Sequence, residues 1–129
     1  MILVDTSVWI ELLNGTALVP PSEDDLLRFV TCGVIVQEVF QGLRDTPAAR
    51  SFAEYFEAVP CLADPMPRRV FTAAADIYRQ GRRRGYTIRS SADCLIAAVA
   101  IEYEIPVWHR DRDFDAISAY TPLRAITQI

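Results

Sequence analysis

A chain of 129 residues, 51% hydrophobic and 23% charged, is long enough to bury one core and short for two. Its net charge of −4 lacks the basic footprint that usually accompanies nucleic-acid binding, although acids gathered around divalent cations reverse their local charge and can attract phosphate. All 13 basic residues are arginine, which excludes lysine-dependent chemistry such as Schiff-base catalysis, Walker-A phosphate loops, receiver domains and haloacid-dehalogenase-like phosphatases.

Met1-Ile2-Leu3-Val4 is a short apolar run that suits a strand covered on both faces. It stops at Asp5. Asp5-Thr6-Ser7 supplies helix-starting residues ahead of Val8, Trp9, Ile10, Leu12 and Leu13, so the strand is expected to run into a helix with Asp5 at its carboxyl end. Ligands of open α/β sheets bind at that edge. Aspartate in such a place also caps helices, so Asp5 gains a chemical role only if other segments bring acids to the same edge.

Gly15 and Pro20-Pro21 break the first helix, and Ser22-Glu23-Asp24-Asp25 opens a second, with Leu26, Leu27, Phe29 and Val30 as its apolar face. Thr31 to Ile35 predicts a short buried strand or extended entry into a helix over Val36–Leu43, with Glu38 in its first turn. An acid there favours the helix dipole. Its neighbours Val34, Ile35, Val36, Val39 and Phe40 set it in apolar surroundings, where a carboxylate needs a charge partner or a metal.

Thr46-Pro47-Ala48 opens a helix that packs through Phe52, Ala53, Tyr55 and Phe56, and Val59-Pro60-Cys61-Leu62 reads as an edge strand because of its proline. From Pro67 to about Arg84 the spacing of Val70, Ala73, Ala74, Ile77 and Tyr78 is helical, with Gly85 as a stop. Arg82, Arg83 and Arg84 cluster at its end, where cations suit the helix dipole and where guanidinium forks also suit phosphate.

Ser90 to Val99 begins a further helix, with Ala92, Leu95, Ile96, Val99 and Tyr103 along one stripe. Ser90 and Asp93 have the spacing of a capping box, the structural alternative to a cation-binding role for Asp93. Ile105 to His109 predicts another strand, and Asp111 and Asp113 follow it just as Asp5 follows the first. Either acid would also cap the short helix expected near Phe114. Leu123 to Thr127 predicts a last strand.

Cys32, Cys61 and Cys94 are odd in number, widely spaced and set in apolar segments, which argues against a disulfide framework and for core thiols. With His109 the only histidine, neither a zinc site nor a serine–histidine–aspartate triad is expected. The sequence lacks both an apolar run near the roughly 18 residues of a membrane span and a signal-peptide pattern, so the expectation is a cytoplasmic protein. Alternating short strands and longer helices, with no repeat or linker, predict one α/β domain with a mainly parallel sheet.

Asp5, Glu38, Asp93 and the Asp111/Asp113 pair thus come from four segments to strand ends or adjacent helix starts. Unmetallated, such a cluster repels itself and raises some of its own carboxyl pKa values. Oxygen-only ligands select hard cations such as Mg²⁺ or Mn²⁺, which orient and activate water for phosphodiester hydrolysis.

The segments Val4-Asp5-Thr6-Ser7-Val8-Trp9-Ile10, Val36-Gln37-Glu38-Val39, Ala92-Asp93-Cys94-Leu95-Ile96-Ala97-Ala98 and Arg110-Asp111-Arg112-Asp113-Phe114 resemble, in order, those of PIN-domain ribonucleases of the VapC toxin type. The resemblance implies one PIN domain over 1–129, a three-layer α/β/α sandwich, and Mg²⁺- or Mn²⁺-dependent endonucleolytic cleavage of RNA. It implies Asp5, Glu38, Asp93 and Asp111 as catalytic and metal-binding acids, Asp113 as an accessory acid that competes for the fourth place, and Ser7 as an orienting residue. It further implies a homodimer and a cognate antitoxin. Arg82, Arg83, Arg84 and Arg89 are candidate RNA contacts. The alternatives are a DNA-directed or flap-type nuclease, for which the chain is short, and a non-catalytic interaction module of the same fold.

Overall fold

Strand β1 (Ile2–Val4) is fully buried and pairs in parallel on both sides, with β2 (Phe29–Cys32) and with β4 (Val107–Trp108). β3 (Cys61–Leu62) and β5 (Ala125–Ile126) form the edges, giving a parallel sheet in the order β3-β2-β1-β4-β5. The computed structural model describes residues 1–129. Between the strands run α1 (Thr6–Asn14), α2 (Glu23–Leu26), α3 (Gly33–Gly42), α4 (Pro47–Glu57), α5 (Arg68–Arg83), α6 (Ser91–Glu102) and α7 (Arg112–Ser118). The chain first winds outward from β1 through β2 to β3. It then crosses back past β1 to β4, so the direction of winding reverses between β1 and β4, and the crevice beyond their carboxyl ends is where such sheets bind ligands.

Helix α1 packs with α3 and α4 largely through Trp9, which is 1% exposed and meets Phe29, Phe52 and Phe56 edge-on at 5.8, 6.0 and 5.2 Å. Truncating such a ring to alanine typically costs about 3–5 kcal/mol, so Trp9 anchors the helix that carries Ser7. On the other side α6 packs with α5, α7 and α3. The sequence predicts one apolar stripe there, but Cys94 and every residue from Ile96 to Ala100 are buried, because α6 has neighbours on several sides. Small side chains permit that. Gly81 of α5 is needed for the same reason: a Cβ there would lie 2.5 Å from the Tyr120 hydroxyl, which donates to the Ile77 carbonyl.

Two boundaries differ from the sequence expectation. α2 is a single turn closed by a Ser22–Asp25 capping box, Leu27 is 85% exposed, and Phe29 and Val30 belong to β2 rather than to a helix face. Helix α3 starts directly after β2 at Gly33, so Val34 and Ile35 are helical and Glu38 lies in the second turn. An unbroken apolar run has no periodicity that separates a buried strand from a buried helix. Cys32 and Cys94 are buried free thiols and Cys61 is half-buried. No helix is long and apolar enough to cross a membrane.

Candidate metal centre and active site

The ladder between β1 and β4 continues one step past β1, because the Asp5 N–H donates to the Trp108 carbonyl at 2.9 Å. Asp5 is thereby held beside β4, 5% exposed, and it also caps α1. Its Oδ2 accepts from the Ser7 hydroxyl at 2.5 Å and the Ser7 N–H at 3.1 Å. The Ser7 oxygen in turn accepts the Arg110 N–H at 3.0 Å, so one hydroxyl ties the start of α1 to the segment after β4. Burial raises the Asp5 pKa above the ordinary carboxyl value against the pull of the Ser7 bonds.

Glu38 reaches the same crevice from α3, half-buried, with its Oε1 accepting from the Thr6 hydroxyl at 2.9 Å. Burial raises its pKa, and repulsion from Asp5 and Asp111 adds to that shift. Asp93 comes from the first turn of α6. The alternative of a capping box with Ser90 is not realised, since Ser90 makes no side-chain cap bond. Instead, Asp93 is 6% exposed and its Oδ2 is buried without a donor.

Oxygens of Asp93, Asp111 and Asp113 lie within 4.8 Å of one another. Three carboxylates that close cannot all be charged at ordinary cost. Burial, then the facing carboxyl of Asp111, then Asp5 push the Asp93 pKa up to about 9, so Asp93 keeps a proton that it donates to Asp111. Burial works against charge on Asp111 too, but the Asp113 N–H, the Asp93 proton and the Arg89 guanidinium outweigh it and hold Asp111 below the ordinary range. The better-solvated partner is the ionised one.

Asp113 is fully engaged. Its Oδ2 accepts the N–H groups of Arg89 and Ser90 at 3.1 and 3.3 Å, and its Oδ1 accepts Arg89 Nε at 3.3 Å. Asp111 caps α7 through the Asp113 N–H at 2.9 Å and donates its own N–H to His109 Nδ1 at 3.1 Å. The His109 ring is 1% exposed, lies 5.2 Å from Phe114, and has its Nε2 3.4 Å from Asp115 without hydrogen-bond alignment.

Of the four arginines singled out in the sequence, Arg89 alone contacts the acids, through Asp113 and through Asp111 Oδ1 at 3.2 Å. Arg82 and Arg83 are exposed without an ion-pair partner at the end of α5, and the Arg84 guanidinium stands 6.0 Å over Tyr120. Thr6, His109 and Arg110 had no role in the sequence reading, yet they orient Glu38, Asp111 and Ser7. Their partners are 32, 2 and 103 residues away. Only the His109 spacing was visible before folding, and it carries no signal of its own.

A groove of about 480 Å³ between α1, α3 and α4 lies beside the acids, with Glu38 on its wall; it is lined by Trp9, Ile10, Leu13, Val39 and Phe52 among others. The donor set suits a hard divalent cation, because it consists of oxygen and includes one buried carboxyl oxygen with no donor from the protein.

A parallel α/β sheet with acids converging at its switch point is the plan of a PIN domain, and the PIN domain family model matches residues 2–120; the protein belongs to that family. Within it, the chain is 38% identical, over 97% of each sequence, to Ribonuclease VapC11 of Mycobacterium tuberculosis and to VapC ribonuclease Mb1587 of Mycobacterium bovis. The fold is also that of FitAcB from Neisseria gonorrhoeae, with a TM-score of 0.67, 21% identity and 98% and 97% of the two chains covered. VapBC-5 from Mycobacterium tuberculosis, described as a toxin–antitoxin system, matches with a TM-score of 0.66, 24% identity and 96% and 95% coverage.

Proposed function

We propose that the protein is a metal-dependent endoribonuclease, the toxin of a toxin–antitoxin pair, acting as one PIN domain over residues 1–129 in the cytoplasm. Asp93 carries the reading. A carboxyl buried at 6% exposure, with one oxygen that receives no donor and a neighbouring acid against it, serves no packing purpose. The 38% identity to proteins named VapC ribonucleases supports the same activity.

Asp5, Glu38, Asp93 and Asp111 would hold Mg²⁺ or Mn²⁺. Such an ion would supply charge stabilisation at phosphoryl oxygens and a more acidic water. Asp113 is better suited to bracing, because its Oδ2 accepts the backbone N–H groups of both Arg89 and Ser90 and so ties α7 to the start of α6. Ser7 holds Asp5 in one rotamer, and Thr6 does the same for Glu38. Asp93 must give up its proton before it can contribute charge, which makes loading of the site pH-dependent.

The test is cleavage of mixed cellular RNA by purified, partner-free protein with Mg²⁺, with Mn²⁺ and with chelator. Cutting is expected only with metal, and stoichiometric cognate antitoxin should silence it. RNA left intact under all three conditions would sink the nuclease reading; cutting that the antitoxin does not restrain would sink the pairing.

We also propose a homodimer through the face formed by α5 and the start of α6. Its support is an apolar groove of about 610 Å³ lined by Val34, Phe71, Ala74, Tyr78 and Leu95, with Phe71 51% exposed. Phe71→Glu should convert a dimer to a monomer in light scattering while leaving the far-ultraviolet circular dichroism unchanged, as a substitution exposed in the single chain. An unchanged dimer mass would place the interface elsewhere.

A further inference from the structure

Arg89 sits where α5 hands over to α6, with its side chain 56% exposed, and its only ionic partners are two acids of the candidate metal centre. It does not hold those acids in place. Asp113 Oδ2 is fixed by the backbone N–H groups of Arg89 and Ser90, and Asp111 Oδ1 by the backbone N–H of Asp113. All three bonds survive loss of the guanidinium.

The guanidinium contacts, at 3.2 and 3.3 Å, are longer than the roughly 2.7–2.9 Å of strong charge-assisted bonds. Arg110 shows what a fixed arginine looks like in the same crevice. It is 33% exposed, bonded to Glu11 at 2.9 Å and to the carbonyls of His109 and Thr127, and laid 5.8 Å from the Trp108 ring. Arg89 has no such second set of partners.

A divalent cation among these acids would share Asp111 with the guanidinium, and like charges at that distance oppose each other. The released side chain would have a long, exposed stem and a planar fork, at the rim of a site whose substrate is a phosphodiester. We propose that Arg89 is an exchangeable counter-ion: it neutralises Asp111 and Asp113 in the metal-free protein and moves to a phosphate of the bound RNA when the centre is loaded. The proposal rests on the nuclease reading above and assigns the centre its own resident cation.

The experiment titrates Mn²⁺ alone into wild type, Arg89→Gln and Arg89→Lys, reading free ion by electron paramagnetic resonance. Arg89→Gln should bind Mn²⁺ about fivefold more tightly, the scale of one partly exposed charge, and Arg89→Lys should stay near wild type. At saturating Mn²⁺, Arg89→Gln should raise the KM for RNA about tenfold, the value of one charge-assisted phosphate contact. Equal or weaker Mn²⁺ binding by Arg89→Gln overturns the counter-ion role, and an unchanged KM overturns the phosphate contact. Mn²⁺ binding to none of the three proteins overturns the metal centre itself, and this proposal with it.

Discussion

Asp93→Asn is expected to reduce RNA cleavage about a thousandfold or more while making the metal-free protein more heat-resistant, a pair of effects that a purely structural acid would not produce. In the folded protein Asp93 is raised to about 9, first by burial and then by the carboxyl of Asp111. In the unfolded chain it titrates near the ordinary value of 3.8. Between those two values the native state keeps a proton that the unfolded state has lost. Stability from this group is therefore fully present below about 3.8 and is lost as pH rises toward 9. Asparagine mimics the protonated acid: its amide N–H can donate to Asp111 and it has no charge to desolvate. The advantage of Asp93→Asn should grow with pH, reaching roughly 5 °C in chelator at pH 8.5 and shrinking at pH 5.5, as read by scanning calorimetry. A variant that cuts RNA like wild type, or that melts lower at every pH, would end the assignment of Asp93 to the chemistry.

The parts of this arrangement that were legible in the sequence are those where local pattern and function coincide. The strand Ile2–Val4 ends at Asp5 and the strand Val107–Trp108 is soon followed by Asp111, so two acids at the sheet edge could be placed from apolar runs alone. Asp5 caps α1 and is also buried at the edge where the other acids gather, so the two readings of it are not exclusive. The sequence places Glu38 on a helix but one turn too early, because the run from Phe29 to Val36 is apolar but for Thr31, without the alternation that would mark a strand's end, and only pairing with β1 decides where β2 stops. The capping-box alternative at Ser90 and Asp93 fails for a physical reason. A serine with an acid three residues later forms a capping box only if the acid turns back to the backbone, and here Asp113 has already claimed the Arg89 and Ser90 N–H groups from 24 and 23 residues away. Contacts over such distances leave no periodic trace. The same holds for Arg110 and Ser7, separated by 103 residues.

The second large effect is expected from metal. Four acids are drawn into one crevice, and three of them have raised pKa values because ionising them there is costly; burial comes first among the causes for Asp5, Glu38 and Asp93 alike, with neighbouring carboxylates adding to it. A divalent cation that binds the folded protein and not the unfolded chain stabilises it by mass action, about 2.7 kcal/mol at a hundred times its Kd. At 10 mM Mg²⁺ or 1 mM Mn²⁺, assumed here as roughly a hundredfold excess over Kd, the melting temperature should rise by about 5–10 °C, and chelator should reverse the gain. Proton linkage sets the pH dependence. Because Asp93 retains its proton up to about 9, each ion bound at neutral pH must displace about one proton. The apparent affinity should then strengthen about tenfold per pH unit between 6 and 8, and calorimetric titrations in buffers of different ionisation enthalpy should report release of close to one proton per ion. Metal affinity that does not vary across this range would mean that Asp93 is already ionised in the free protein, and the buried proton between Asp93 and Asp111 would have to be abandoned. In Asp93→Asn the same titration should release almost no proton, because the group that holds it is gone.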